Sequence, residues 1–149
     1  MMNAELKFSA APPLGRLCRW LRTLGFDCIY LNSEEAPAPN ESSPDRIYLT
    51  RHAATTRRHV LVIGQDIVFD QLRAMALLVP IKGRCRPLSR CIQCNVPLET
   101  AERVLVKQEV PEHVFLSHDR FSRCRSCGRV YWAGTHADRI HDRIMRLFG

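Results

Sequence analysis

The sequence predicts an α/β protein in two parts: a small parallel four-stranded sheet with flanking helices, then a cysteine-built ribbon and a C-terminal helix. Three observations predict it. Short apolar runs alternate with a helical pattern in the first half, the order that suits parallel strands joined by crossovers. Two CxxC pairs, Cys91 with Cys94 and Cys124 with Cys127, occupy the second half. A last amphipathic run carries Ile140, Ile144 and Leu147 at helical spacing. The expected boundary falls at Gly83, giving residues 1–83 and 84–149.

In chain order, residues 6–10 form a first short strand, followed by Pro12-Pro13 and a helix from Leu14 to Leu24. Leu14, Leu17, Cys18, Leu21 and Leu24 recur on one face as its buried stripe. Gly25 stands where a helix ends in the left-handed conformation. Strands are expected at residues 27–31, 46–50 and 59–63, and a helix from Asp66 to Leu78, stopped by Pro80. Between the second and third strands, Pro37, Pro39 and Pro44 forbid a continuous helix, so this crossover is read as a loop. Near the end, Thr135 can cap the last helix, with Asp138 three residues on.

Seven cysteines in a chain without an export signal favour metal ligation over disulfides. Two residues between thiolates allow a tight turn to aim both sulfurs at one ion, and two such turns complete a tetrahedron around structural Zn²⁺. Asn95 and Gly128 follow the second cysteine of each pair, where a left-handed residue is required. Short strands are expected at Val96-Pro97-Leu98 and at residues 129–132, making a zinc ribbon. The 29 residues between Cys94 and Cys124 leave room for an insertion with a helical turn at residues 111–115. His113, His118 and His136 are rival ligands. A redox dithiol is the competing reading of one CxxC pair, but it needs a strand before and a helix after.

The charge balance is 22 Lys plus Arg against 15 Asp plus Glu, a net +7. That balance draws in polyanions, with nucleic acid the leading one. Up to Gly83 there are 10 basic and 8 acidic residues, and after it 12 and 7, so the ribbon half carries most of the excess. The seven-residue stretch from Met75 to Ile81 is the longest apolar run, far short of a membrane span. No signal-peptide pattern stands at Met1 to Ala10, and a cytoplasmic location is the expectation.

Four stretches together resemble the Mut-seven C-terminal RNase domain family: residues 14–27 around Gly15-Arg16-Leu17, residues 47–51, residues 89–95 with the first CxxC, and residues 124–136 with Cys127-Gly128-Arg129-Val130-Tyr131-Trp132. The resemblance implies a PIN-like nuclease fold with a zinc ribbon, acting on RNA with Mg²⁺ or Mn²⁺ held by carboxylates at the C-terminal ends of the strands. Such ions generate hydroxide and stabilise the leaving oxygen of a phosphodiester.

The chain departs from that pattern. Ala10-Ala11-Pro12 stands where the family has an Asp after the first strand, and His52 where it has another after Thr-Arg. Asp66, Glu34, Glu35, Asp27 and His52 are the candidates for what remains of the catalytic site. Loss of two hard oxygen ligands weakens Mg²⁺ binding, and imidazole does not replace them. The reading is therefore an RNA-binding protein of the PIN-like RNase family with a depleted carboxylate site. The alternatives are an active metal-dependent endoribonuclease with a rearranged site and a zinc-ribbon module for a protein partner. RNA contact is assigned to Arg16, Arg19, Arg84, Arg86, Arg90, Arg123, Arg125 and Arg129, with Tyr131 and Trp132 available for base stacking.

Overall fold

A computed structural model describes residues 5–32, 46–53 and 59–148, and the side chains of residues 135–137 are outside what it describes. Glu34, Glu35 and the proline-rich crossover therefore lie outside the described residues, as do the Thr135 cap and His136.

Strands β1 (Lys7–Ala10), β2 (Asp27–Tyr30), β3 (Ile47–Thr50) and β4 (Val60–Val62) form one parallel sheet in the order β2-β1-β3-β4. After β1, a single 3₁₀ turn at Pro12–Leu14 leads into helix α1 (Gly15–Thr23). Proline opens a helical turn cheaply, because its φ is preset and its missing N–H has no role there. The expected stripe of α1 is buried on the sheet: Leu14, Leu17, Cys18, Leu21 and Leu24 are all within 1% of full burial. Helix α2 (Val68–Leu78) covers the same core through Leu72 and Met75.

Gly25 turns the chain at φ +94°, and a Cβ there would stand 2.4 Å from the carbonyl oxygen of Arg86. Only glycine allows the linker to pass this close.

The second half begins with the first cysteine pair and continues through β5 (Glu99–Ala101), α3 (Arg103–Val106), α4 (Glu112–Ser117), β6 (Phe121–Arg123) and β7 (Val130–Trp132). The three strands form an antiparallel sheet, β5-β6-β7. The expected strand at Val96-Pro97-Leu98 is corrected. Only an isolated bridge joins Arg90 to Pro97, its hydrogen bonds running from the Cys91 amide to Val96 and from the Leu98 amide to Ser89, because the partner segment turns at once into the first cysteine turn; the ladder with β6 starts at Glu99. Val106, Val110, Val114 and Phe121 make a small separate core under this sheet.

Helix α5 (Thr135–Phe148) returns to the first half, where Ile144 is buried in the main core and Ile140 and Leu147 pack against it. Among the described residues no helix is long and apolar enough to cross a membrane.

Polar stitches fasten the first cysteine turn to the parallel sheet. Arg22 of α1 donates to the carbonyls of Cys28 (2.8 Å) and Ile92 (2.9 Å). Arg90, 8% exposed, donates to the carbonyls of Asn95 and Gly25 and pairs with Glu5 at 3.4 Å. Asn95 accepts from the Cys28 amide at 3.0 Å and donates to Asp27 at 2.8 Å. Asp27 is in turn held by Arg46 at 2.8 Å, and Arg46 also donates to the Phe8 carbonyl.

Burial alone would raise the Asp27 carboxyl, but the hydrogen bonds from Arg46 and Asn95 outweigh it and hold the group below its ordinary value. With the folded value depressed, this stabilisation is present above the unfolded pKa of about 3.9 and is lost as pH falls through the folded value. Asp27→Asn should therefore cost about 2 kcal/mol at pH 7, the scale of a charge-assisted bond. Urea unfolding at pH 7 and pH 3 checks this: the gap between variant and wild type should narrow at the lower pH.

Candidate functional site

Each cysteine pair closes the same backbone turn. In the first, the Cys91 amide donates to the Val96 carbonyl and the Asn95 amide to the Cys91 carbonyl, both at 2.9 Å. In the second, Cys124 donates to Arg129 and Gly128 to Cys124, at 2.9 and 2.8 Å. Asn95 and Gly128 sit at φ +59° and +78°, the left-handed conformation the spacing demands. The amides of Cys94 and Cys127 point at the sulfurs of Cys91 and Cys124, each at 3.4 Å.

The four sulfurs lie within 4.8 Å of one another, with Cys91 and Cys127 3.8 Å apart. A tetrahedron with metal–sulfur bonds of about 2.3 Å has edges of about 3.8 Å, so the cluster can hold one metal ion. Neither pair is followed by a helix, which removes the geometry of a redox dithiol. His113 stands on α4 and His118 directly follows it, both outside the cluster.

Desolvation raises the Cys91 thiol, yet the Tyr131 hydroxyl at 3.2 Å and the backbone amides around it outweigh that and bring it down to about 6. Tyr131 itself is pushed up to about 12 by burial and by this contact. A contact with Ser126 lowers the Cys94 thiol, but desolvation and the three neighbouring sulfurs push it up to about 11. Four adjacent thiolates repel one another unless a cation lies between them.

The second candidate region is the C-terminal edge of the parallel sheet. β1 and β3 are neighbours whose chains leave in opposite directions along the sheet, to β2 and to β4. Ligands of open α/β sheets bind at such a switch point. Here the strands end in Ala10 and Ala11, both fully buried, and in Thr50, Arg51 and His52. Thr50 is 1% exposed, and its hydroxyl accepts from the His52 amide at 3.1 Å. The His52 ring is exposed. Asp66, beyond β4, has an 89% exposed side chain and is bound by Arg51 at 2.7 Å, while Arg51 also donates to the Gln65 carbonyl.

Asp27 is not brought to this edge. It is the first residue of β2, opposite Lys7, at the other end of the sheet, where it carries the stitch to Asn95.

The arginines divide in the same way. Arg90 and Arg123 are spent internally, Arg90 as above and Arg123 on Glu109 and the Gly128 carbonyl. Arg84 is half-buried, and Arg125 lies 4.0 Å from Glu99. Arg16, Arg19, Arg86 and Arg129 are exposed. Arg22, not among the expected site residues, is the one that ties α1 to the metal turn; its position beside the α1 stripe was the only signal of it.

The family model described as the Mut7-C RNAse domain matches residues 6–144. No curated protein and no solved structure gives a significant match.

Tyr131→Phe removes a hydrogen bond to a ligand sulfur without touching the ligand set. Such outer partners are worth roughly 10–100-fold in metal affinity. The variant should bind one ion per chain, weakened about that much, whereas Cys124→Ser should lose the site. Competition with a chromogenic chelator measures both.

Proposed function

The chain belongs to the Mut7-C RNAse domain family, and on that premise we propose that it is an RNA-binding protein whose carboxylate metal site is depleted and whose ribbon is closed by zinc. The family implies an RNA-related role. One observation carries the finer reading: at the switch point between β1 and β3, where a hydrolytic Mg²⁺ or Mn²⁺ would sit, the chain offers Ala10, Ala11, Thr50, Arg51 and His52.

A fully hydrated Mg²⁺ gives up water only to well-placed anionic oxygens. Alanine offers none, His52 offers a softer nitrogen, and Arg51 places a fixed positive charge beside Asp66. Asp66, His52 and the Glu34-Glu35 pair are what remains for any residual catalysis. Asp27 serves the fold instead. The same replacements leave phosphate attraction intact, since they remove negative charge from the edge.

Zinc fits the four-sulfur cluster because it accepts four thiolates in a tetrahedron without preference from its d electrons. In this reading residues 1–83 supply the α/β body and residues 84–149 the ribbon and last helix. The exposed Arg16, Arg19, Arg86, Arg125 and Arg129 are the groups that meet phosphates. Free cysteines suit a reducing compartment such as the cytoplasm.

Three outcomes are expected. Purified protein should leave a labelled RNA intact with Mg²⁺ or Mn²⁺; cleavage that Asp66→Asn abolishes would establish the active-enzyme reading instead. Binding of single-stranded RNA should weaken with salt, each arginine–phosphate contact adding about 0.7 to the slope of log affinity against log salt. Elemental analysis should find one zinc per chain.

A further inference from the structure

Where the ribbon lies against the α/β body, a groove of about 1020 Å³ opens between α1, the first cysteine turn, α4, β7 and α5. It lies apart from the switch point. Both tryptophans of the chain line it, Trp20 from α1 and Trp132 from β7. Trp20 meets Phe69 edge-on at 5.0 Å, and the Arg143 guanidinium lies 4.1 Å over that same Phe69 ring. Trp132 is set by Gly134, whose missing Cβ would stand 3.3 Å from the indole.

The charge of the lining is one-sided. Arg129, Arg139 and Arg143 line the groove together with His113 and His118, and among the described residues no Asp or Glu does. Arg129 and Arg139 are exposed, and neither has an ion-pair partner among the described residues. His118 Nδ1 is 3.0 Å from both the Val114 carbonyl and the Ser117 hydroxyl, which anchors the ring in the groove wall. The groove thus combines two indoles with guanidinium groups that no ion pair among the described residues neutralises.

We propose that this groove takes unstacked bases of single-stranded RNA, with Trp20 and Trp132 as stacking faces and Arg129 and Arg139 on the flanking phosphates. The inference rests on the RNA-binding reading and gives it a place. Aromatic faces favour single strands, because every base has a π-face but a duplex keeps its bases stacked inside. An acidic protein segment would satisfy the arginines and leave the indoles unused.

Full-length, metal-loaded protein is titrated with a labelled single-stranded RNA, followed by anisotropy and by tryptophan emission, which arises only from groove residues. Binding should quench the emission, and a duplex of the same sequence should quench little. Arg129→Ala with Arg139→Ala should weaken binding at least tenfold and lower the salt slope by about 1.4, two contacts at about 0.7 each. Metal content and circular dichroism show that the double variant is folded. Tight binding without quenching, and unchanged in the double variant, overturns the groove while RNA binding stands. Polyglutamate of equal charge that binds and quenches as well as RNA overturns base recognition in favour of an acidic partner. No anisotropy change at low salt overturns both readings.

Discussion

The side-chain amide of Asn95 joins the two halves of the molecule at one point. Its oxygen accepts from the Cys28 amide in β2, and its nitrogen donates to Asp27 at the start of the same strand. Asn95 reaches them because it sits at φ +59°, the left-handed corner that ends the first cysteine turn. That corner exists so that Cys91 and Cys94 can face one ion. The geometry required by the metal and the geometry required by the sheet edge therefore meet in a single residue, and glycine, equally at ease at this φ, could not serve both.

The other contacts across this seam repeat the theme of buried polar groups that must find partners. Arg22 and Arg90 offer planar, multidentate donors to carbonyls on both sides, which lysine could not match. The result is a seam that is polar near β2 and open on the far side, where Trp20 and Trp132 line the groove. Helix α5 closes the arrangement by burying Ile144 in the core of the first half. The sheet's C-terminal edge lies apart from all this, so its residues take no part in the stitches or the ribbon.

Much of the fold was legible because its signals are local. The stripe from Leu14 to Leu24, the left-handed glycine at Gly25 and the two CxxC turns are each set by residues close in sequence. The weak elements were not legible. β6 is only Phe121–Arg123, and α3 only Arg103–Val106; neither is long enough to show a period. Pro97 stood in an apolar run that looked like a strand, but it only bridges to Arg90 across the first cysteine turn, and the ladder with β6 starts at Glu99. Among site residues, the cysteine set was readable from spacing alone. Asp27, Arg90 and Arg123 were not: an acid or an arginine looks the same in sequence whether it faces solvent or spans a seam, and only pairing register and burial separate the two.

The central claim is that metal closure of the first cysteine turn holds the edge of the parallel sheet in place. Hydrogen exchange of the Cys28 amide, whose acceptor is the Asn95 side chain, tests it most directly. Removing the metal with a chelator should speed exchange at Cys28 along with the amides of both cysteine turns, because Asn95 loses the conformation that delivers its oxygen. If chelation exposes the ribbon amides while Cys28 keeps its protection, the sheet edge does not depend on the metal, and the account is contradicted.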